Sequence, residues 1–296
     1  MKTAEVSKQV KLIATDMDGT LLNELGQISE ENVAAVKAAQ EKGILVVVAT
    51  GRSYKEALPP LQEAGITCPV ICVNGAEIRN ELGEKVKSVP LSYESYQEVA
   101  EILQHAGIYY ELYTNSGTFS NDREKAYQTM VDYLTTAYPD YPEEQIKEKI
   151  ELRFLRENFS IVPDYKQILA QSGVEIYKLL VFSNEESALA DSAQKLQGIA
   201  ELAVSSSAKN NLEITNKGAQ KGIAVQEYAT RHQISLAETM AIGDNFNDLS
   251  MLTIVGFSVA MGNAEEEIKK ACSFVANRND KHGVAHAIQE LALLRS

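Results

Sequence analysis

The stretch "LIATDMDGTLL", residues 12–22, runs an apolar segment directly into two aspartates separated by one residue, and then into Gly-Thr. A carboxylate beside a buried strand is costly in free energy unless a charged or hydrogen-bonding group meets it. The rest of the chain must therefore supply partners for Asp16 and Asp18. Gly19 frees the backbone to turn sharply after the second aspartate.

The segments that follow this stretch alternate between strand-like and helix-like patterns. The predicted elements, in chain order, are a strand in "VKLIATD" (10–16), a helix at 29–42, a strand in "ILVVVATG" (44–51), a helix at 54–64 and a strand in "PVICVNG" (69–75). Strands that are apolar on both faces and separated by helices are typical of a parallel sheet covered on both sides. The sequence therefore predicts a doubly wound, Rossmann-like α/β fold.

The pattern changes between about Val86 and Glu213, where polar helices, several tyrosines and half-buried strand candidates such as "YYELYT" (109–114) occur. This segment is interpreted as an inserted α+β domain. The opening pattern returns with "TMAIGD" (239–244) and "GFSVAMG" (256–262). We therefore expect one parallel-sheet domain built from residues 1–85 and 214–296, interrupted by a second domain at 86–213.

The composition excludes several classes of partner. The formal charge is −13, from 28 basic and 41 acidic residues, so the long-range field repels nucleic acid and anionic lipid. Apolar runs such as "ILVVVA" (44–49) are too short to span a bilayer, and "MKTAEVSKQV" (1–10) lacks the hydrophobic region of a signal peptide. We expect a cytoplasmic protein without nucleic-acid or membrane partners, whose oligomeric state the sequence does not indicate.

In a doubly wound sheet, ligands bind outside the carboxyl ends of the strands. Polar residues, and one glycine with an accessible backbone N–H, follow four of the predicted strands: Asp16 and Asp18; Thr50, Gly51 and Arg52; Asn74; and Asp244, Asn247 and Asp248. These groups are predicted to converge on one crevice. Because several of them are acidic, the crevice needs protons or a cation to be stable.

Magnesium is the simplest partner for the four aspartates, Asp16, Asp18, Asp244 and Asp248. Mg²⁺ prefers oxygen ligands, and it is commonly bound through one or two carboxylates together with a substrate phosphate. Asp244 is the candidate for a direct ligand. Asp248 is a candidate for a second ligand through water, or for a residue that orients the site.

A bound phosphate also needs hydrogen-bond donors and positive charge. Thr50 offers a hydroxyl, Gly51 an unobstructed N–H, and Lys221 an ammonium on a flexible stem. With these groups, Asp16 could attack phosphorus to form an aspartyl-phosphate. Asp18 could protonate the leaving alkoxide and later accept a proton from the attacking water. The site is therefore predicted to transfer phosphoryl groups.

The motifs "DMDGTLL" (16–22), "ATGR" (49–52), "KGAQKG" (217–222) and "GDNFND" (243–248) resemble the four motifs of the haloacid dehalogenase-like phosphatases, Cof-type branch. The resemblance covers essentially the whole chain. The interval between Asp18 and Thr50 leaves no room for an inserted domain, which instead follows Asn74, as in the Cof-type arrangement with its α/β cap.

The resemblance implies roles for individual residues. The implied roles are Asp16 as nucleophile, Asp18 as acid/base, Thr50 as phosphate donor, Lys221 as the lysine that stabilises nucleophile and phosphate, and Asp244 with Asp248 as the acidic metal motif. The backbone carbonyl of Asp18 is a further implied magnesium ligand. Gly51, Arg52, Asn74 and Asn247 are assigned supporting roles in substrate binding.

Three alternatives stay open at this level. Arg52 could equally be a solvated residue at a helix start, and Asn74 a turn former. Lys217 is an alternative to Lys221 as the motif lysine, although Lys221 fits the family's usual place better. The predicted function is a magnesium-dependent phosphatase that acts on a small phosphorylated metabolite, such as a sugar phosphate or a phosphorylated cofactor or its precursor. A sugar phosphomutase and a non-catalytic phosphometabolite sensor are the alternatives, although a sensor has no need of the Asp16–Asp18 pair.

The inserted domain is predicted to select the substrate, because the four motifs recognise only groups that every phosphomonoester shares. Joined by two linkers, it could exclude water from the crevice and contact the leaving group. The turn-rich stretch "YTNSGTFSND" (113–122) is the candidate loop for this contact.

Overall fold

The computed structural model of the chain describes residues 9–137, 141–156, 159–207 and 210–294. Residues 1–8, which contain most of the stretch used to predict a cytoplasmic location, lie outside this part. The chain separates into two compact units, which we call the first unit (1–86 and 221–296) and the second unit (87–220). Among the described helices, none combines the length and the apolar character that crossing a membrane requires.

The strands and α-helices interleave along the chain. The strands are β1 (Leu12–Thr15), β2 (Leu45–Ala49), β3 (Val70–Cys72), β4 (Glu77–Arg79), β5 (Lys85–Ser88), β6 (Tyr109–Thr114), β7 (Gly117–Ser120), β8 (Phe159–Ile161), β9 (Ile176–Phe182), β10 (Leu202–Ser205), β11 (Asn211–Asn216), β12 (Thr239–Gly243), β13 (Phe257–Ala260) and β14 (Phe274–Val275). The α-helices are α1 (Glu30–Glu41), α2 (Tyr54–Glu63), α3 (Tyr93–His105), α4 (Arg123–Ala137), α5 (Glu143–Arg156), α6 (Lys166–Leu169), α7 (Glu186–Gln197), α8 (Lys221–Arg231), α9 (Leu249–Leu252), α10 (Glu266–Ala271) and α11 (Gly283–Ile288).

The first unit is built on an eight-stranded sheet of order β14-β13-β12-β1-β2-β3-β4-β5. Neighbouring strands from β14 to β3 are parallel, and β4 turns back antiparallel to β3. The predicted Rossmann-like α/β fold is confirmed. The sheet places β1 between β2 and β12, so the carboxyl ends of these strands meet at one edge, where ligands of such sheets bind.

Local signals explain the helices that flank β2. Helix α1 begins after Ser29, whose hydroxyl accepts a hydrogen bond from the backbone N–H of Asn32 at 3.3 Å. Helix α2 begins after Ser53, whose backbone N–H donates to the Glu56 carboxylate at 2.6 Å in a capping box. These caps define the helix starts to within a residue of the predicted positions.

The second unit contains a six-stranded sheet of order β10-β11-β9-β6-β7-β8, antiparallel except for the pair β7–β8. One apolar cluster joins strand residues such as Leu112 and Leu179 to helix residues such as Val99 and Leu189. The strands were predicted to be half-buried, but β9 is buried along its entire length. The opposite side of the sheet is covered as well, since α5 places Arg153 against Glu111 of β6.

Two details of the second unit differ from the sequence prediction. The unit extends to Gln220, because β11, at Asn211–Asn216, pairs with β9 and β10. The turn-rich stretch 113–122 forms the hairpin of β6 and β7, so much of it is strand. Both differences arise because short strands rich in polar residues become recognisable only through their partners.

Candidate active site

The residues predicted to converge lie at the carboxyl edge of the parallel sheet. Asp16 directly follows β1, Thr50 follows β2, and Asp244 follows β12, while Asn74 lies in the turn after β3. These four strands are consecutive neighbours in the sheet, in the order β12-β1-β2-β3. The residues predicted from the strand ends therefore lie along one edge of the sheet within the first unit.

Lys221, the first residue of α8, contacts two of the aspartates at this edge. Its buried Nζ donates to Oδ1 of Asp16 at 2.6 Å and to Oδ1 of Asp248 at 2.6 Å. Burial alone would lower the pKa of Lys221, but the attraction of the two carboxylates outweighs it and raises that pKa above its ordinary value. Lys221 is therefore charged, and it is the motif lysine that contacts Asp16, whereas Lys217 is exposed.

Asp248 orients the loop that carries Asp244. Its Oδ2 accepts from the backbone N–H groups of Asp244 at 2.9 Å and Asn245 at 3.1 Å, while its Oδ1 accepts from Lys221. A Cβ at Gly243 would lie 2.5 Å from that Oδ2, so only glycine fits beside the carboxylate. Both oxygens of Asp248 are thus held in place by the protein itself.

Carboxylate oxygens of Asp16, Asp244 and Asp248 lie within 4.8 Å of one another. Burial raises the pKa of Asp16; Lys221 opposes this rise, and Asp248 and Asp244 add to it. Burial, with repulsion from Asp248, also raises the pKa of Asp244 to about 7, although a 2.8 Å hydrogen bond from the Thr20 hydroxyl opposes the rise. Three carboxylates against one ammonium leave excess negative charge, and their oxygens are the donors that Mg²⁺ prefers. The residues present therefore fit a magnesium ion.

The side chain of Asp18 lies outside this carboxylate cluster and contacts Arg52 instead. The Arg52 Nε donates to Oδ2 of Asp18 at 2.8 Å, and Nη2 donates to Oδ1 at 2.7 Å. The Arg52 Nη1 also donates to the backbone carbonyl of Glu56 at 3.1 Å. Arg52 is therefore paired with a predicted catalytic residue, rather than being only a solvated residue at a helix start.

Hydrogen bonds connect the loops that follow β2 and β3. The buried Thr50 hydroxyl oxygen accepts from the backbone N–H of Arg52 at 3.1 Å, and the Thr50 carbonyl accepts from the N–H of Asn74 at 2.9 Å. Asn74 is buried in a left-handed conformation with φ of 57°. Gly51 lies in the same pair of loops. Asn247 lies apart from them, in the turn before α9, where it is partly exposed.

Gly19 packs directly against the acidic cluster. Its φ of 74° belongs to the left-handed region, and a Cβ at this position would clash with Oδ2 of Asp244. The glycine predicted for a sharp turn is therefore also required for the close approach of the loops after β1 and β12.

Two asparagines that sequence reasoning missed hold the loop after β1. Asn263 donates through Nδ2 to the carbonyl of Gly19 at 2.8 Å, and its Oδ1 accepts from the N–H of Asn279 at 3.0 Å. Asn279 in turn donates to the carbonyl of Leu22 at 3.0 Å. The position of Asn263 just beyond the strand-like "GFSVAMG" could have indicated the site, because polar residues at strand ends face the same edge.

Comparisons with known proteins place the chain among a family of hydrolases. A family model described as haloacid dehalogenase-like hydrolase matches residues 13–288. The phosphatase YwpJ of Bacillus subtilis (strain 168) is 34% identical over 285 residues, which cover 95% of this chain and 100% of that protein. The 5-amino-6-(5-phospho-D-ribitylamino)uracil phosphatase YwtE of the same organism is 34% identical over 283 residues, covering 95% and 98%. A haloacid dehalogenase-like hydrolase structure from B. subtilis is similar with a TM-score of 0.88 at 33% identity, covering 95% and 100%.

Proposed function

Because the chain belongs to the haloacid dehalogenase-like hydrolases, as its motifs predicted, and is a phosphatase of that family, we propose that it is a magnesium-dependent enzyme that hydrolyses a small phosphorylated metabolite through an aspartyl-phosphate. The observation that carries this proposal is the buried Lys221, which contacts Asp16 and Asp248 at the strand edge beside Asp244. This arrangement combines a nucleophile, a fixed positive charge and an oxygen-rich cation site.

Asp16 is the proposed nucleophile. Its Oδ1 is held by Lys221 at 2.6 Å, which fixes the carboxylate and leaves Oδ2 as the attacking oxygen. The lysine charge favours the ionised form of Asp16 and attracts an anionic phosphate. The Thr50 hydroxyl oxygen already accepts from Arg52, so its own hydrogen can be donated to a phosphate oxygen.

Asp16 and Asp244 are the proposed magnesium ligands, with the backbone carbonyl of Asp18 added by the family resemblance. Bound there, Mg²⁺ would offset the excess negative charge so that a phosphate dianion can approach a carboxylate. Asp248 is assigned an orienting role, because both of its oxygens are engaged by Lys221 and by backbone N–H groups. Its hydrogen bonds hold the Asp244 loop in position for the metal.

Asp18 is the proposed acid and base. In its protonated form, this half-exposed carboxyl group could give a proton to the leaving alkoxide, and the resulting carboxylate could then take a proton from the water that attacks the aspartyl-phosphate. Phosphoryl transfer to Asp16 breaks the bond between phosphorus and the ester oxygen. Hydrolysis by water then releases inorganic phosphate and restores the free carboxylate of Asp16.

The substrate class is supported by a relative. The relative YwtE is named for a substrate that carries a phosphate on a ribityl chain, which is a phosphorylated polyol joined to a nitrogen base. At 34% identity, this supports a phosphomonoester on a sugar-like carbon chain as the substrate class for this protein. We infer further that the second unit discriminates among such substrates, since phosphate and metal groups are common to all of them.

The test is an assay of inorganic phosphate release from a panel of sugar phosphates, polyol phosphates and phosphorylated nucleosides, with magnesium or with a chelator. We expect release from several of these with magnesium only. Conversion of a sugar phosphate to its isomer without phosphate release would indicate a mutase, and binding without turnover would indicate a sensor. Exchange of residues 87–220 with those of a relative should change the order of preferred substrates. An unchanged order would contradict the inference about the second unit.

A further inference from the structure

The ion pair between Arg52 and Asp18 joins the loops after β2 and β1 at the rim of the active site. We propose that Arg52 is a positioning residue that fixes the Asp18 carboxyl group in the orientation needed for proton transfer to the leaving group. The inference rests on the proposed phosphatase function. It assigns Arg52 an action through Asp18, in place of the direct contact with substrate that the sequence suggested.

The geometry of the pair restricts Asp18 strongly. Two adjacent nitrogens of Arg52 donate to the two different oxygens of Asp18, at 2.8 Å and 2.7 Å, so that the planar guanidinium faces the carboxylate edge. Such two-point contacts restrain the rotation of the carboxylate as well as its distance. The guanidinium is itself anchored, because Nη1 donates to the Glu56 carbonyl within α2. A fixed helix thereby determines where the Asp18 oxygens lie.

Asp18 depends on such a partner more than the other aspartates do. Asp16 and Asp248 are buried and held by Lys221, and Asp244 is held by the Thr20 hydroxyl. The Asp18 side chain is 53% exposed, so burial does not restrict its rotamer. General acid catalysis requires the acid within hydrogen-bond distance of the leaving oxygen. Arg52 supplies the restraint that the other aspartates obtain from the interior.

Stability is a weak explanation for this pair. Arg52 and Asp18 have side chains that are 30% and 53% exposed, and ion pairs of such exposure contribute little to folding. Replacing the Arg52 side chain also leaves its backbone N–H in place, and that N–H is the group that donates to Thr50. Variants at Arg52 therefore test its contact with Asp18 with little change in the fold or at Thr50.

The decisive measurement is kcat/KM for two aryl esters of similar shape, p-nitrophenyl phosphate and phenyl phosphate, with saturating magnesium. This quantity reports the steps up to release of the phenol, and hence the step that needs an acid. The p-nitrophenolate ion leaves without protonation, whereas phenolate benefits from it. General acids contribute about 10²- to 10⁴-fold in rate. We expect Arg52→Ala to lower kcat/KM for phenyl phosphate by about 10- to 100-fold, and for p-nitrophenyl phosphate by less than about threefold.

A conservative variant and a double-mutant cycle separate positioning from charge. Arg52→Lys keeps the charge but lacks the two-point contact. We therefore expect it, like Arg52→Ala, to lower kcat/KM more for phenyl phosphate than for p-nitrophenyl phosphate. Asp18→Asn removes the acid, and Arg52→Ala added to Asp18→Asn should change kcat/KM for phenyl phosphate by less than about twofold, because Arg52 then has no acid to position. The proposal would be overturned if Arg52→Lys kept the wild-type ratio of the two kcat/KM values. It would also be overturned if Arg52→Ala lowered kcat/KM for phenyl phosphate as much in the Asp18→Asn variant as in the wild type.

Arg79 offers a matched control in the same unit. It pairs with the buried Glu77 at 2.6 Å and lies among residues that the catalytic proposal does not use. Arg79→Ala should lower the melting temperature while the ratio of the two kcat/KM values stays as in the wild type. If Arg52→Ala lowers both kcat/KM values equally, Arg52 contacts the phosphate and the inference fails while the phosphatase function stands. A wild-type protein that releases phosphate from neither ester, nor from any compound of the substrate panel, contradicts the phosphatase function itself.

Discussion

Each unit contains a group of buried charges, and the two groups offset the free-energy cost of burying charge in different ways. In the first unit, Lys221 lies between Asp16 and Asp248, with Asp244 as a further carboxylate nearby. In the second unit, buried ion pairs match each acidic group with a basic one: Arg153 donates to both oxygens of Glu111 at 3.0 Å and 2.6 Å. The second unit also contains the pair Lys178–Glu213, at 3.5 Å.

The location of the two groups differs as well. Glu111, Lys178 and Glu213 lie within strands of the second unit, whereas the aspartates of the first unit follow strand ends. A buried ion pair with two-point geometry offsets the cost of its own desolvation, and removing one partner leaves the other charge buried without compensation. Several carboxylates around one lysine keep excess negative charge, which a cation and a substrate can use. We call the first group, with more acidic than basic residues, the unbalanced cluster, and the second group, with equal numbers, the balanced cluster. An unbalanced cluster at strand ends thus indicates a reactive site, whereas a balanced cluster within strands indicates a structural role.

The largest expected effect is loss of the nucleophile from the unbalanced cluster. Asp16→Asn should retain the fold and lower kcat by about 10⁴-fold or more, because an amide cannot form the aspartyl-phosphate. Phosphate release from the best substrate of the panel measures this. Asp191→Asn, at an exposed position in α7, is the matched control and should retain full activity. Activity of Asp16→Asn within tenfold of the wild type would contradict the covalent mechanism.

The balanced cluster should affect stability instead. Arg153→Met leaves the Glu111 carboxylate buried without its main partner, and we expect a loss of about 3–5 kcal/mol in the free energy of unfolding of the second unit. Urea unfolding followed by circular dichroism measures it. Adding Glu111→Leu to Arg153→Met should restore most of the loss, because the buried charge is then absent. If Arg153→Met alone were as stable as the wild type, the pair would not be structural.

Lys221 belongs to the unbalanced cluster and should therefore affect turnover. Lys221→Met should lower kcat by about 10²- to 10³-fold, since a preorganised charge beside the nucleophile is lost. Lys217→Met, at an exposed position four residues earlier in sequence, is the control and should leave kcat nearly unchanged. Steady-state kinetics with saturating magnesium gives both values. A larger loss for Lys217→Met would transfer the role to that residue.

The smallest expected effect is a dependence of stability on pH in the presence of a chelator. Burial raises the pKa of Asp244 from 3.8 to about 7, so between these values the folded protein binds more protons than the unfolded chain. Stability contributed by this group is therefore present at low pH and is lost as pH rises towards 7, by up to about 1.4 kcal/mol per pH unit. The melting temperature should fall from pH 5 to pH 8 in chelator.

The stabilisation of the fold by magnesium should also depend on pH. The cation stabilises the folded state by binding to it, and it binds best when the carboxylates are ionised. Magnesium should therefore raise the melting temperature more at pH 8 than at pH 5, and Asp244→Asn should reduce the difference. An equal increase at both pH values would show that magnesium binds elsewhere.

The sequence by itself determined the α/β fold of the first unit and the approximate position of each candidate site residue. Apolar runs identified β1, β2 and β3, and the helix predicted at 29–42 corresponds to α1. These features are local, since periodicity, caps and strand ends are encoded within a few consecutive residues. Because parallel strands share one carboxyl edge, local information also sufficed to predict that Asp16, Thr50 and Asp244 lie at the same edge, but not that Asn247 lies apart from the loops after β2 and β3.

Only the tertiary structure decided which groups touch. Lys221 and Asp16 are 205 positions apart, and Arg52 and Asp18 are 34 apart, so no local pattern distinguishes Lys221 from Lys217 or reveals the partner of Arg52. The buried charges of the second unit were likewise missed, because a charged residue in a strand is predicted to face solvent until an opposite charge from another element covers it. Such contacts depend on how separate loops and helices approach one another, and packing of the whole unit determines that approach.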